Sequence, residues 1–171
     1  MLATMAACEI RILRADDWAI WREVRLRALT DAPDAFGSRL AEWQGADEDR
    51  WRTRFDDVAF NAVAVVDGNV VGAVGGMHRS PATVELVSMW VAPVVRGPGV
   101  GDALSDAVVR WAGSAAIDRV TLAVRRANRR AAGLYERAGF VRVGANPDDA
   151  AEDTMARDLV EIRPATPDDA N

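Results

Sequence analysis

The sequence contains no lysine: all 21 of its basic side chains are arginine. It also has a single cysteine, Cys8, a single histidine, His78, and a single tyrosine, Tyr135. Each shortage removes a class of function. One cysteine permits neither an intrachain disulfide nor a multi-cysteine metal site, and Cys8 reads as a bystander rather than a nucleophile. One histidine removes most zinc sites and Ser-His-Asp triads, so no metal is expected. Without Gly-Lys-Ser/Thr there is no P-loop. No apolar run reaches the length of a membrane span. The opening residues, Met1 to Ala6, lack the basic region and long apolar core of a secretion signal. A cytoplasmic location, away from membranes, is expected. The net charge of −5 argues against general nucleic-acid binding, which rests on basic patches. It mildly favours cationic substrates such as amines.

What remains is an ordinary globular composition, 50% hydrophobic and 27% charged over 171 residues, enough for one domain with a substantial core. Ile10 to Leu13 alternates as a short strand, with Asp16 or Asp17 placed to cap the next helix. That helix carries Trp18, Ile20, Trp21, Val24, Leu26 and Leu29 mostly at helical spacing and ends near Asp31-Ala32-Pro33. After a loop at Phe36-Gly37-Ser38, a second helix is expected within Leu40 to Phe55. The tryptophans read as core, with an aromatic wall for a substrate as the alternative. Ala62 to Val66 and Val70 to Met77 read as strands joined by a hairpin at Asp67-Gly68-Asn69. Val84 to Val91 and Val120 to Val124 are further strands. Asn128 can cap a helix over Arg129 to Ala138, with Gly139 at the left-handed position beyond its end. Phe140 to Val143 and Thr154 to Val160 complete the strands.

The most informative stretch follows Val91. Gly97, Gly99 and Gly101 alternate, which lets the backbone approach a bulky ligand and turn its amides toward it. A helix starting at about Asp102 adds unpaired N–H groups and the positive end of its dipole. Together these make a pyrophosphate cradle. The dinucleotide fingerprint is excluded because its third glycine would fall on Asp102. The remaining pattern is Arg-x-x-Gly-x-Gly, on Arg96, Gly99 and Gly101. A strand-to-helix turn without a ligand is the plain alternative.

That pattern and a second block, Asn128-Arg129-Arg130-Ala131-Ala132-Gly133-Leu134-Tyr135-Glu136-Arg137-Ala138-Gly139-Phe140, resemble the GCN5-related N-acetyltransferases. The resemblance covers residues 9–160. It implies an α/β (α+β) fold in the order β-α-α-β-β-β-α-β-α-β-β, with a central mixed, mostly antiparallel sheet flanked by helices. It also implies acetyl-coenzyme A as cosubstrate, its pyrophosphate held by Arg96, Gly97, Pro98, Gly99, Val100, Gly101 and Asp102. Pantetheine would pair with the backbone of Met89 and Val91, where the family splays this strand from the next at a bulge. Asn128 would lie near the pantetheine arm and Tyr135 near the coenzyme sulfur. The acceptor would be a primary amine of a small molecule or a protein, and monomer and homodimer stay equally open. Residues 161–171 form a tail, expected to be disordered. Its Glu161-Ile162-Arg163 through Asp168-Asp169-Ala170 echoes Glu9 to Trp18, through a tandem remnant or through chance.

An amine attacks a thioester only after losing its proton, so such chemistry needs a base, a polarised carbonyl and a stabilised thiolate. Glu85 matches the position of the general base in histone-acetylating members. On a strand alone it is as readily a solvated outward residue, but alternation puts Glu85, Val87, Met89 and Val91 on one face. Tyr135 is the expected acid for the departing thiolate; packing against the sheet is its alternative. His78 is a second candidate base, or an ordinary strand-end residue. Two departures from the family pattern bear on coenzyme affinity. Pro98 lacks a backbone donor, and Asp102 adds a negative charge beside a polyanion. A catalytically silent coenzyme-binding module and a pure interaction domain are the rival readings.

Overall fold

The computed structural model describes residues 7–35, 39–97 and 99–159. Pro98, the Phe36–Ser38 loop, the opening residues and the tail from 160 onward lie outside them. The strands are β1 (Glu9–Ile12), β2 (Phe60–Val66), β3 (Asn69–Ser80), β4 (Thr83–Val91), β5 (Arg119–Arg125), β6 (Val141–Ala145) and β7 (Glu152–Asp158). The helices are α1 (Trp18–Asp31), α2 (Leu40–Gln44), α3 (Glu48–Asp56), α4 (Val100–Ser114) and α5 (Arg129–Arg137). One sheet runs β1-β2-β3-β4-β5-β7-β6. Every neighbouring pair is antiparallel except β4–β5. Among the described residues no helix is long and apolar enough to cross a membrane.

The centre of the sheet is buried on both sides because β2 offers an almost unbroken apolar run, Ala62-Val63-Ala64, with no exposure at all. Asp67 and Gly68 take φ values of 50° and 77°, so Val66 pairs directly with Asn69 through the two-residue turn that suits strand twist. Helix α4 lies on one face against β2, β3 and β4, and α1 packs on the other with α3 beside it. A Cβ at Gly72 would stand 2.9 Å from Leu104 Cδ1, and one at Gly76 would stand 2.9 Å from the Trp111 ring. These glycines let α4 lie flat on the sheet. Trp21 and Trp51 are each 1% exposed, so two of the tryptophans are core. Trp18 and Trp43 are half-buried under the guanidinium groups of Arg52 and Arg50.

Three local expectations are corrected. The second helix is two helices, because Gly45 closes α2 and the Asp47 carboxylate accepts the Arg50 N–H at 2.9 Å to open α3. Asp17 caps backward instead of forward: its carboxylate accepts the Arg14 N–H at 2.9 Å and pairs with Arg11. Helix α4 begins at Val100, two residues before Asp102.

Candidate active site

Strands β4 and β5 pair only over Thr83–Glu85 and Arg119–Thr121, then part, although β4 continues to Val91 and β5 to Arg125. The gap leaves one edge of the Met89–Val91 backbone without a strand partner among the described residues. The register between β3 and β4 slips by one residue between the pairs Gly75↔Val87 and Ala73↔Trp90. The extra residue sits around Ser88, whose φ of 57° is unusual for a side chain. The bulge reverses the strand's alternation. Val87 faces Val58 across Gly75, whereas Val91 approaches Gly101 on the α4 side. Glu85 pairs with Met77 and therefore faces with Val87, opposite to Val91. The expectation that Glu85, Val87, Met89 and Val91 share one face is thus wrong, because simple alternation ignores the bulge. Glu85 is ion-paired with Arg79, its side chain 21% exposed. His78 points the other way, edge-on to Trp111 at 5.8 Å.

The glycine loop combines two effects. Gly97 and Gly99 take φ of 143° and 125°, conformations that L side chains rarely adopt. Gly101 is needed for space: a Cβ there would stand 2.2 Å from Leu134 Cδ1 of α5. Asp102 folds back on the cradle. Its carboxylate accepts the Gly99 N–H at 3.0 Å and the Arg137 Nε–H at 3.2 Å. The Gly99 hydrogen bond is the main cause, ahead of Arg137, that holds this carboxyl below its usual range. Arg96 donates to the Val91 carbonyl at 2.9 Å and pairs with Asp31. Asp31 also accepts the Trp90 indole N–H at 2.9 Å.

Helix α5 is anchored at both ends. The Asn128 side chain accepts the Ala131 N–H at 3.1 Å, as expected of its cap. At the other end Gly139 N–H reaches Glu136 O and Phe140 N–H reaches Tyr135 O, each at 3.0 Å. Gly139 has φ 86°. This reciprocal pair, with the Tyr135 and Phe140 rings 6.0 Å apart, is a Schellman closure with its apolar contact. It fixes Tyr135 in a buried position, where burial pushes its phenol well above the usual range.

Between these elements lies a cleft of about 690 Å³. Met89, Trp90 and Val91 form one wall, Gly97 and Gly101 the turn, and Asn128 to Leu134 the opposite side. Four arginines, Arg96, Arg129, Arg130 and Arg137, line it. Glu85 and Tyr135 are outside the lining, as are Gly99, Val100 and Asp102.

Residues 18–140 match the acetyltransferase (GNAT) family. This chain belongs to that family. Human N-acetylaspartate synthetase is 40% identical over 85 residues, which are 49% of this chain and 28% of that protein. Mycothiol acetyltransferase of Salinispora tropica is 30% identical over 137 residues, 77% of this chain and 43% of that protein. The chain thus spans less than half the length of these relatives. The fold matches the yncA protein of Salmonella typhimurium, solved with its cofactor acetyl-CoA, at a TM-score of 0.70 and 20% identity, covering 96% and 100% of the two chains.

For a GNAT-fold cleft, the residues fit a long polyanion carrying an extended arm: a glycine turn at a helix start, flanking arginines and a strand edge. Sequence reasoning missed Arg129, Arg130 and Arg137, Trp90, and the Asp31–Arg96 pair. In a chain whose cations are all arginine, no single arginine stands out by type. The signal available was position, since Arg129, Arg130 and Arg137 sit at the two ends of a helix that opens beside the glycine loop.

Proposed function

We propose that this protein transfers the acetyl group of acetyl-coenzyme A to a primary amine of a small molecule or protein, by direct attack in a ternary complex. The observation that carries the reading is the cleft where β4 parts from β5 and the glycine turn opens α4. There the arginines and the backbone N–H groups of Gly97, Val100 and Gly101 would hold the pyrophosphate, the Gly99 N–H being engaged by the Asp102 carboxylate. The edge of Met89 and Val91 would pair with the pantetheine arm, and Asn128 would border it. Bound there, the cosubstrate supplies an acetyl carbon activated as a thioester.

In this reading Glu85 takes the amine proton through water, from the sheet face opposite Val91. A backbone N–H of the bulged strand polarises the carbonyl. The new N–C bond replaces the C–S bond, and Tyr135 donates a proton to the sulfur. Burial keeps the phenol protonated for that donation, and it also disfavours a lasting phenolate, so the hydroxyl must regain its proton promptly. A silent coenzyme-binding module draws on one specific observation, the absence of Glu85 and Tyr135 from the cleft lining. An amine screen with acetyl-coenzyme A, read by thiol release, tests the transfer. Binding without turnover on any amine would favour the silent module.

A further inference from the structure

The sheet face opposite α4 holds two arginines in the hydrophobic layer beneath the β4 bulge. Arg25 is 8% exposed and occupies the buried stripe of α1, one turn from Trp21 and one turn from Leu29. Arg54, on α3, is half-buried. Its Nη2 donates to Ser88 Oγ at 3.1 Å, and its guanidinium carbon lies 5.7 Å from the centre of the Trp21 ring. Its Nη1 is buried and has no hydrogen-bond partner among the described residues.

Burial, and secondarily the Arg54 charge, pull Arg25 down to about 10. Burial lowers Arg54 as well, with Asp57 partly offsetting it. No carboxylate forms an ion pair with Arg54 among the described residues. Glu85, on the same face, is engaged by Arg79. A third cation, Arg125, faces the same way by register, four residues beyond the Glu85↔Thr121 pair, and its Nε is buried without a hydrogen bond among the described residues.

Burying the Arg54 cation without an ion-paired carboxylate is costly. Here the cost coincides with a strained Ser88 one residue from Met89 of the cleft. Strain and unmatched charge at one point are the marks of a receiving site rather than of a structural brace. Resting on the acetyl-transfer reading above, we infer that Arg54, backed by Arg25, receives a carboxylate of the acceptor. The preferred acceptors are then amino-acid-like amines in which a carboxylate stands close to the amine. An acceptor carboxylate would complete the hydrogen bonding of Arg54 and bring the amine to the bulge beside the cleft. The whole chain's negative charge would favour cationic amines, but the local charge on this face has the opposite sign.

The test compares amino acids with their amides as acceptors. In the wild type, kcat/KM for the carboxylate partner should exceed that for the amide by about 10²-fold, the scale of a desolvated charge pair. Arg54→Gln should collapse the ratio toward one, mainly through KM, and Arg54→Lys should restore part of it. General structural damage would lower both substrates together and leave the ratio intact. Arg54→Met should melt no lower than wild type, because an apolar side chain replaces an unmatched buried charge; a bulge brace would melt lower. A second readout needs no turnover. With coenzyme A present, amino acids should raise the wild-type melting temperature and amides should not, and Arg54→Gln should respond to neither. Equal use of acids and amides, or a ratio or shift unchanged in Arg54→Gln, overturns the inference and leaves acetyl transfer standing. No response to acetyl-coenzyme A or to any amine overturns both.

Discussion

The two sides of β4 are built from different materials. On the α4 side the site is mostly backbone: two glycines in left-handed conformations, a third that admits Leu134, and a strand edge left open by the β4–β5 gap. On the α1 side it is made of long side chains, Arg25, Arg54 and Trp21, packed under the bulge. The first kind of surface suits a ligand shared by many enzymes, because backbone amides are the same whatever the sequence. The second suits discrimination, because each side chain can be exchanged separately. One inserted residue at Ser88 joins the two by turning Val91 toward the cleft and leaving Glu85 on the other face.

The sharpest way to break this contrast is to damage the backbone side. Gly99→Asp forces a side chain into φ 125° and adds a negative charge to the cradle. Coenzyme A should raise the wild-type melting temperature through mass action, and the variant, once shown to be folded, should show no shift. A folded variant with a wild-type response would remove the phosphate-loop assignment. Gly101→Asp should fail in the same assay for a different reason, the collision with Leu134.

Changes at the two proposed proton-transfer groups are expected to be large but incomplete. Tyr135→Phe retains the ring contact with Phe140 and should hold coenzyme affinity while turnover falls, by about 10²–10⁴-fold if sulfur protonation limits the rate. Glu85→Gln should be slow near neutral pH and recover partly at high pH, where more acceptor amine is already deprotonated. A pH–rate profile parallel to wild type would take Glu85 out of the mechanism. Wild-type turnover in Tyr135→Phe would assign the proton to water or a backbone donor.

The smallest effect concerns Asp102, which ties the two ends of the cleft together. Asp102→Ala releases the Gly99 N–H and Arg137, so coenzyme A should bind several-fold tighter while stability drops by about 0.5 kcal/mol, the ion-pair part being discounted for exposure. Its carboxyl is depressed in the folded state. The stability it adds is therefore complete above the ordinary carboxylate range and is lost as pH falls through the depressed value. Melting curves of the two proteins should converge in acid. A gap that persists there would assign the loss to something other than this carboxylate.

The backbone side was also the legible side. Alternating glycines, the Asn128 cap and Gly139 carry their conformations in their identity, so the loop and both ends of α5 follow from the sequence. The β4 face did not, because Ser88 is no bulge signal: nothing in a serine's identity announces the φ of 57° it takes or the register slip beside it. The split between α2 and α3 was written in Gly45 and Asp47, but two tryptophan-bearing segments with helical spacing hid it. Arg25 was hidden for a related reason. An arginine on an apolar stripe reads as a snorkelling surface residue until the tertiary contacts bury it.

Product analysis tests acetyl transfer to an amine most directly. Purified protein, acetyl-coenzyme A and a panel of primary amines, amino acids included, are incubated and followed by thiol release and mass spectrometry of the amines. Thiol release should depend on an amine and match, mole for mole, an amine heavier by one acetyl group. Coenzyme binding with no acetylated amine, and thiol release no faster than without protein, would contradict it.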